Sequence, residues 1–393
     1  MTNASPQDVV IVAAQRTAIG AFQGQFANTS ATELGAAAIR GALDQCGLAA
    51  DKVDQVIMGC VLPAGLGQAP ARQAMVAAGL PMSTPATTIN KVCGSGMQSI
   101  ILAHDMIKAG SADCVVAGGM ESMTRAPYLV DRGLRMGHSQ ALDHMFFDGL
   151  QNPYDGQMMG QFAEHCASQK SFNRAEQDAF AQQSVERAMA AIESKAFAAE
   201  ITPVTVTGRK GEVRIDQDEE PGRCNIDKMP QLKPAFAKDG TVTAASSSKI
   251  SDGAAALVVM SAERAHALDL TPLARIVAHA GHAQAPEWFT TAPIGAIDNV
   301  LTKAAWDGAS VDLYEINEAF AVVTMAAIQA HKLDPDRVNV FGGALALGHP
   351  IGASGARVVV TLLNALTHHN KTHGVASLCI GGGEATALAV ERL

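Results

Sequence analysis

At 393 residues, 48% of them hydrophobic, the chain is too long for one ordinary core and predicts two or three domains. A net charge of −9 excludes an extended nucleic-acid surface. No apolar run reaches the ~18 residues of a membrane span, and Met1-Thr2-Asn3-Ala4-Ser5-Pro6 lacks the basic and apolar regions of a signal peptide, so a cytoplasmic protein is expected. Seven cysteines form an odd set with no CxxC pair, which predicts reduced thiols and no zinc or other metal site.

In chain order, Val9–Val12 reads as a buried strand and Ala31–Gly47 as an amphipathic helix, with Ser30 or Thr32 as cap and Gly47 as stop. Val53–Val61 is the next strand, then a helix over Ala69–Ala78, a strand over Ala86–Ile89, a helix over Gly96–Ala109 and a strand over Asp113–Ala117. This alternation predicts an α/β layer with a largely parallel sheet. From Glu121 to Lys249 the alternation is lost, as in an inserted region. Within it Arg174–Ala199 predicts a helix, and Thr207-Gly208-Arg209-Lys210-Gly211 a turn between Val204–Val206 and Val213–Ile215. Ala254–Met260 returns to a buried strand. The last part predicts strands over Leu273–Ala280, Leu313–Ile316 and Val375–Ile380, and helices over Ile294–Trp306, Glu318–Lys332 and Gly352–Thr367.

This last part replays the first. Cys93-Gly94-Ser95-Gly96 with Gly118-Gly119-Met120-Glu121 downstream parallels Ala353-Ser354-Gly355 with Gly381-Gly382-Gly383-Glu384. The gap is 22 residues from Gly96 to Gly118 and 27 from Gly355 to Gly382, a difference the loop His368–His373 can absorb. An internal duplication follows, and duplicated α/β halves place a site between them.

Four groups carry the chemistry. Cys93 precedes a helix, where unpaired N–H groups and the dipole favour a thiolate nucleophile, although a cysteine in an apolar setting is more often a small core residue. His349 lies in the glycine-dense run Gly342–Gly355 before a helix; it can take a proton from a thiol, donate to an oxyanion, or serve only as a loop residue. Asn317 can orient a water or a histidine, or shape a turn. Cys379, at a strand end, reads as core on its own, and Gly381–Gly383 after it can bring N–H groups against a carbonyl or mark tight packing.

Taken in order and spacing from Arg16-Thr17-Ala18-Ile19-Gly20 to the last glycines, these segments resemble the thiolase family over essentially the whole chain. Within it the chain is most similar to acetoacetyl-CoA thiolases. The resemblance implies an α/β, thiolase-like fold: two duplicated βαβαβαββ halves packed as a layered αβαβα core. The halves are 1–120, completed by about 250–270, and 271–393; the insertion 121–249 is a loop domain carrying coenzyme A. It further implies that Cys93 is acylated while His349 takes its proton, and that Cys379 is the acid/base acting on a second acetyl-CoA. One oxyanion hole would be His349 with a water held by Asn317, the other the backbone N–H groups of Cys93 and Gly381. Arg223 would sit near the adenine-phosphate end of CoA, Ser248 by its pantetheine and Met159 by the acyl pocket, with Phe236, Ala319 and Phe320 lining the tunnel. Acetyl-CoA, acetoacetyl-CoA and CoA are the implied partners, CoA being substrate or product with no permanently bound cofactor, and a homotetramer built of dimers is implied.

Two stretches depart from that pattern. Met158-Met159-Gly160-Gln161-Phe162 replaces a His-Met-Gly followed by smaller residues, and Lys249 stands where glycine is common and reads as solvated. Alternatives are a 3-ketoacyl-CoA thiolase of broader chain length, a cysteine hydrolase using Cys93, His349 and Asn317, an acyl-CoA-binding protein without chemistry, and a β-ketoacyl or HMG-CoA synthase. The hydrolase leaves Cys379 idle, the binding protein leaves all four groups idle, and a second cysteine separates a thiolase from the synthases.

Overall fold

The computed structural model describes residues 5–208 and 211–393. In the first half, strand β1 (Val9–Arg16) leads to helix α1 (Ala31–Cys46), β2 (Gln55–Gly59), α2 (Pro70–Ala77), β3 (Ala86–Ile89), α3 (Ser95–Lys108) and β4 (Cys114–Ser122). The ends of α1 are written in its sequence: Ser30 and Glu33 close a capping box, and Gly47 ends the helix at φ 66°. The chain leaves the sheet after Ser122 and returns at Ser251. In between lie α4 (Met159–Lys170), α5 (Arg174–Glu193) and the hairpin of β5 (Val204–Gly208) and β6 (Gly211–Ile215), whose turn residues Arg209 and Lys210 fall outside the described residues. The predicted helix to Ala199 stops at Glu193, where Lys195 turns left-handed at φ 60°; α4 was not anticipated.

Strand β7 (Ser251–Ser261) completes the first half. The second runs β8 (Ala274–Ala283), α6 (Ala292–Ala304), β9 (Leu313–Ile316), α7 (Ala321–His331), α8 (Ser354–His368), β10 (His373–Ile380) and β11 (Glu384–Arg392). The sheet order is β9-β10-β11-β8-β1-β7-β4-β2-β3, so each half contributes strands in the same relative order and the two meet where β1 pairs with β8. Helices α3 and α8 pack on each other between the two halves of the sheet, while α1 covers β1 and β7, and α6 covers β8 and β11, from outside. Three layers of helix and two of strand result, the layered α/β fold the resemblance implied.

The expectation of a largely parallel sheet is corrected. Only β2 with β3, β2 with β4, and β9 with β10 run parallel; β1, β7, β8 and β11 pair antiparallel with their neighbours. Strands β1 and β7 are buried along almost their whole length, and burial on both faces removes the apolar–polar alternation by which an antiparallel strand is recognised. Among the described residues no helix is long and apolar enough to cross a membrane.

Candidate active site

Cys93 sits in the tight turn between β3 and α3. The Asn90 side chain accepts from the Val92 N–H at 2.9 Å, and Ser95 Oγ both accepts from the Lys91 N–H at 2.8 Å and donates to the Val92 carbonyl at 2.7 Å. These bonds hold Val92 at φ 46°, where a β-branched side chain is strained, a feature that clusters at functional sites. Gly94 is needed for close approach, because a Cβ there would run into Ile380 at the end of β10. Lys91 ion-pairs with Glu384 and ties the turn to the start of β11, the next strand of that hairpin.

The Cys93 sulfur faces its own N–H and that of Gly381. Burial pushes its thiol up to about 11, against the pull of those two donors. His349 is held by its N–H on the Lys249 carbonyl at 3.0 Å and by Nδ1 on Ser354 Oγ at 2.6 Å, the serine hydroxyl donating in turn to the Pro350 carbonyl at 3.0 Å. With Nδ1 carrying the proton toward Ser354, Nε2 keeps a lone pair, and it is buried without a partner. Burial and the nearby Arg357 guanidinium lower the imidazole to about 3, so it rests neutral. Cys93, His349 and Gly381 line one cavity of about 260 Å³.

Asn317 follows β9. Its Oδ1 accepts from Arg357 at 3.4 Å, Arg357 being ion-paired with Glu315 at 2.7 Å, and its Nδ2 is buried without a partner. Cys379 is fully buried at the end of β10, its thiol pushed well up by burial and by the neighbouring Cys93. It packs with Met159, Phe236, Ala319 and Phe320 in one apolar cluster. Those four and Ser248 line the same cavity. Arg223 does not: its guanidinium is exposed and ion-paired with Glu219 at 3.0 Å. Lys249, read as solvated, is instead at the cavity wall, donating to the Ala244 carbonyl at 2.6 Å, and burial lowers its pKa.

Three residues whose roles the sequence did not disclose organise the loops. Ser354 aims His349. Glu121, buried at the end of β4, accepts from the N–H groups of Val61 at 2.9 Å, Leu62 at 3.2 Å and Gly352 at 2.9 Å, and burial raises its carboxyl to about 7. Glu318 accepts from Ser184, Asn339 and the Leu345 N–H, holding the loop that leads to His349. The signal for Glu121 was the paired glycine-then-Glu strand ends; for Ser354, the repeated Ser-Gly helix start.

Residues 9–263 match "Thiolase, N-terminal domain" and 270–392 match "Thiolase, C-terminal domain". An acetyl-CoA acetyltransferase of Pseudomonas aeruginosa is 50% identical over 98% of this chain and 100% of its own. A mitochondrial acetyl-CoA acetyltransferase of Danio rerio is 48% identical over 100% of this chain and 93% of its own. Among solved structures, a thiolase from Ascaris suum in complex with coenzyme A has a TM-score of 0.94 at 43% identity, covering 98% of this chain and 100% of its own. The acetyl-CoA acetyltransferase of Bacillus anthracis has a TM-score of 0.96 at 40% identity, with both chains covered completely.

Proposed function

The chain belongs to the thiolase family of acyltransferases, and we propose that it is an acetyl-CoA C-acetyltransferase, joining two acetyl-CoA molecules reversibly into acetoacetyl-CoA and CoA. The observation that carries the chemistry is the free, buried Nε2 of His349 in the cavity that holds the Cys93 thiol.

Cys93 Sγ attacks the thioester carbonyl of acetyl-CoA while His349 Nε2 takes its proton. The imidazolium so formed returns the proton to the departing CoA sulfur, leaving acetyl-Cys93. A second acetyl-CoA then loses an α-proton to Cys379 as its thiolate, the carbanion attacks the acetyl carbonyl, and the adduct expels the Cys93 sulfur, which recovers that proton from Cys379, giving acetoacetyl-CoA and the starting thiol. The Gly381 and Cys93 N–H groups are aimed where one oxyanion develops; His349 and the unpaired Asn317 Nδ2, through a water, serve the other.

Met159, Ser248, Phe236, Ala319 and Phe320 would receive the acyl-pantetheine, and the exposed Arg223 guanidinium would meet the adenine-phosphate end. Phe236, Phe320, Phe289 and Phe162 stack edge to face in sequence beside the cavity, which supports a short acyl group over the broader chain-length alternative. The reaction belongs to lipid metabolism, and its two chemical thiols need a reducing compartment such as the cytoplasm. Exposed Tyr128, Val130, Leu134 and Met136 on one arm support assembly into a homotetramer, which light scattering tests.

Incubation with acetyl-CoA should leave an acetyl mass on the peptide holding Cys93, and Cys379→Ala should retain that label while making no acetoacetyl-CoA. Label elsewhere, or normal turnover by the variant, defeats the assignment. A series of 3-ketoacyl-CoAs with CoA should show the four-carbon substrate preferred.

A further inference from the structure

Among the described residues, a further cluster of ligand-type side chains lies where the last turns of α3 meet β8. His279 Nε2 lies 2.9 Å from Asp105 Oδ1 and 3.2 Å from His104 Nδ1, and His104 Nδ1 lies 2.9 Å from Asp105 Oδ1. Successive helix residues diverge in direction, yet the His104 ring turns back over Asp105, and the two imidazoles stand nearly perpendicular at 80°. Hydrogen bonding satisfies this triangle poorly. Two ring nitrogens facing each other accommodate one proton between them, and the alternative crowds both N–H groups onto a single carboxylate oxygen.

From this triangle we infer that His104, Asp105 and His279 form a divalent-cation site, departing from the expectation that the chain holds no metal. An ion about 2.1 Å from each donor, in tetrahedral or octahedral geometry, places neighbouring ligand atoms about 3.0 to 3.4 Å apart, close to the three separations here. Two imidazoles and one carboxylate select zinc, cobalt or nickel over the harder magnesium and calcium. The imidazoles are largely buried, whereas the Asp105 carboxylate is 55% exposed, so water can complete the coordination. Lys108, the cation nearest along α3, is drawn away by its bond to the Gln7 carbonyl at 2.6 Å.

The ligands come from both repeats. Helix α3 begins two residues after Cys93, and His104 lies roughly 14 Å further along its axis. The ion therefore clamps the first half to the second without touching the reacting atoms, and the inference stands whether or not the acyl chemistry is as proposed.

The test uses the full chain stripped with chelator and titrated with Co²⁺. Calorimetry should show one saturable site per chain, the absorption should carry weak d–d bands without a thiolate charge-transfer band, and Co²⁺ should raise the melting temperature. His279→Ala and Asp105→Asn should each weaken binding at least about 10-fold, the effect that even an outer-shell loss can produce, and abolish the thermal shift. Asp105 is exposed enough that its variant folds, with wild-type turnover as the check. No saturable binding, wild-type affinity in both variants, or a thiolate band would overturn the site.

Discussion

Cys93 and His349 rest as a neutral pair. The helix start before which Cys93 sits favours thiolate, yet burial outweighs it and holds the thiol near 11, while His349 falls to about 3. Transfer of the proton therefore waits for attack on a carbonyl whose developing charge the Gly381 N–H can meet. At pH 7 almost no Cys93 is ionised, and the fraction grows about 10-fold per pH unit until the thiol pKa is reached. Alkylation of the free enzyme by iodoacetamide, followed by the mass of the peptide holding Cys93, should accelerate by that factor between pH 7 and about 10. A plateau beginning below about pH 8 would instead mean a standing thiolate–imidazolium pair. Cys93, His349, Cys379 and Gly381 stand out in the sequence because their types and spacing are chemical, and Cys93, His349 and Gly381 line one cavity. Ser354 and Glu121 were seen only as repeat markers, since what they do depends on loops far apart in the chain arriving side by side.

The elements most readily read were those whose ends are local. Ser30, Glu33 and Gly47 delimit α1 by hydrogen bonds within a few residues, and Ala86–Ile89 is bounded as expected. Strand β11 escaped because Gly381–Gly383 read as an ending when they are a hairpin turn, with Gly382 and Gly383 at φ 92° and 91°. The repeated Ser-Gly helix starts were visible too, but not that they touch. A Cβ on Gly96 would stand 2.6 Å from the Ala356 amide nitrogen, and one on Gly355 would run into that of Met97, so α3 and α8 cross where only glycine fits. Gly355→Ala should cost about 1–3 kcal/mol of stability by overpacking, and it should lower turnover as well, because shifting α3 moves the Cys93 turn. Gly308→Ala, whose Cβ meets nothing nearer than 3.6 Å, should stay within about 0.5 kcal/mol. Denaturant midpoints compare the two, and equal midpoints would remove the crossing as the constraint.

At the scale of the molecule, the two halves of the sheet are not equal: the first carries the insertion and a fifth strand, β3, and the second carries neither. Arg16, the last residue of β1, binds that insertion to the core. Its guanidinium meets Glu200 at 2.5 Å and Asp218 at 2.7 and 2.9 Å, all three side chains are buried, and the charge lies 5.0 Å from the centre of the Phe197 ring. Asp218 also accepts the Ile19 N–H at 2.7 Å, so the segment Arg16–Gly20, legible only as a family signature, acts as the clasp between β1 and residues two hundred positions away. Removing one partner of a buried ion cluster strands the others, which costs about 3–5 kcal/mol, whereas an exposed pair contributes under about 1 kcal/mol. Arg16→Gln should therefore destabilise the chain far more than Arg275→Gln, whose partners Asp8 and Glu391 are open to water. Because the break falls between core and insertion, hydrogen exchange should speed first in α5 and the β5–β6 hairpin, and KM for acetyl-CoA should rise with the cavity wall loosened at Met159, Phe236 and Ser248. If Arg16→Gln instead melts every element together at the wild-type exchange pattern, the insertion is held by its apolar packing and the buried cluster is not its clasp.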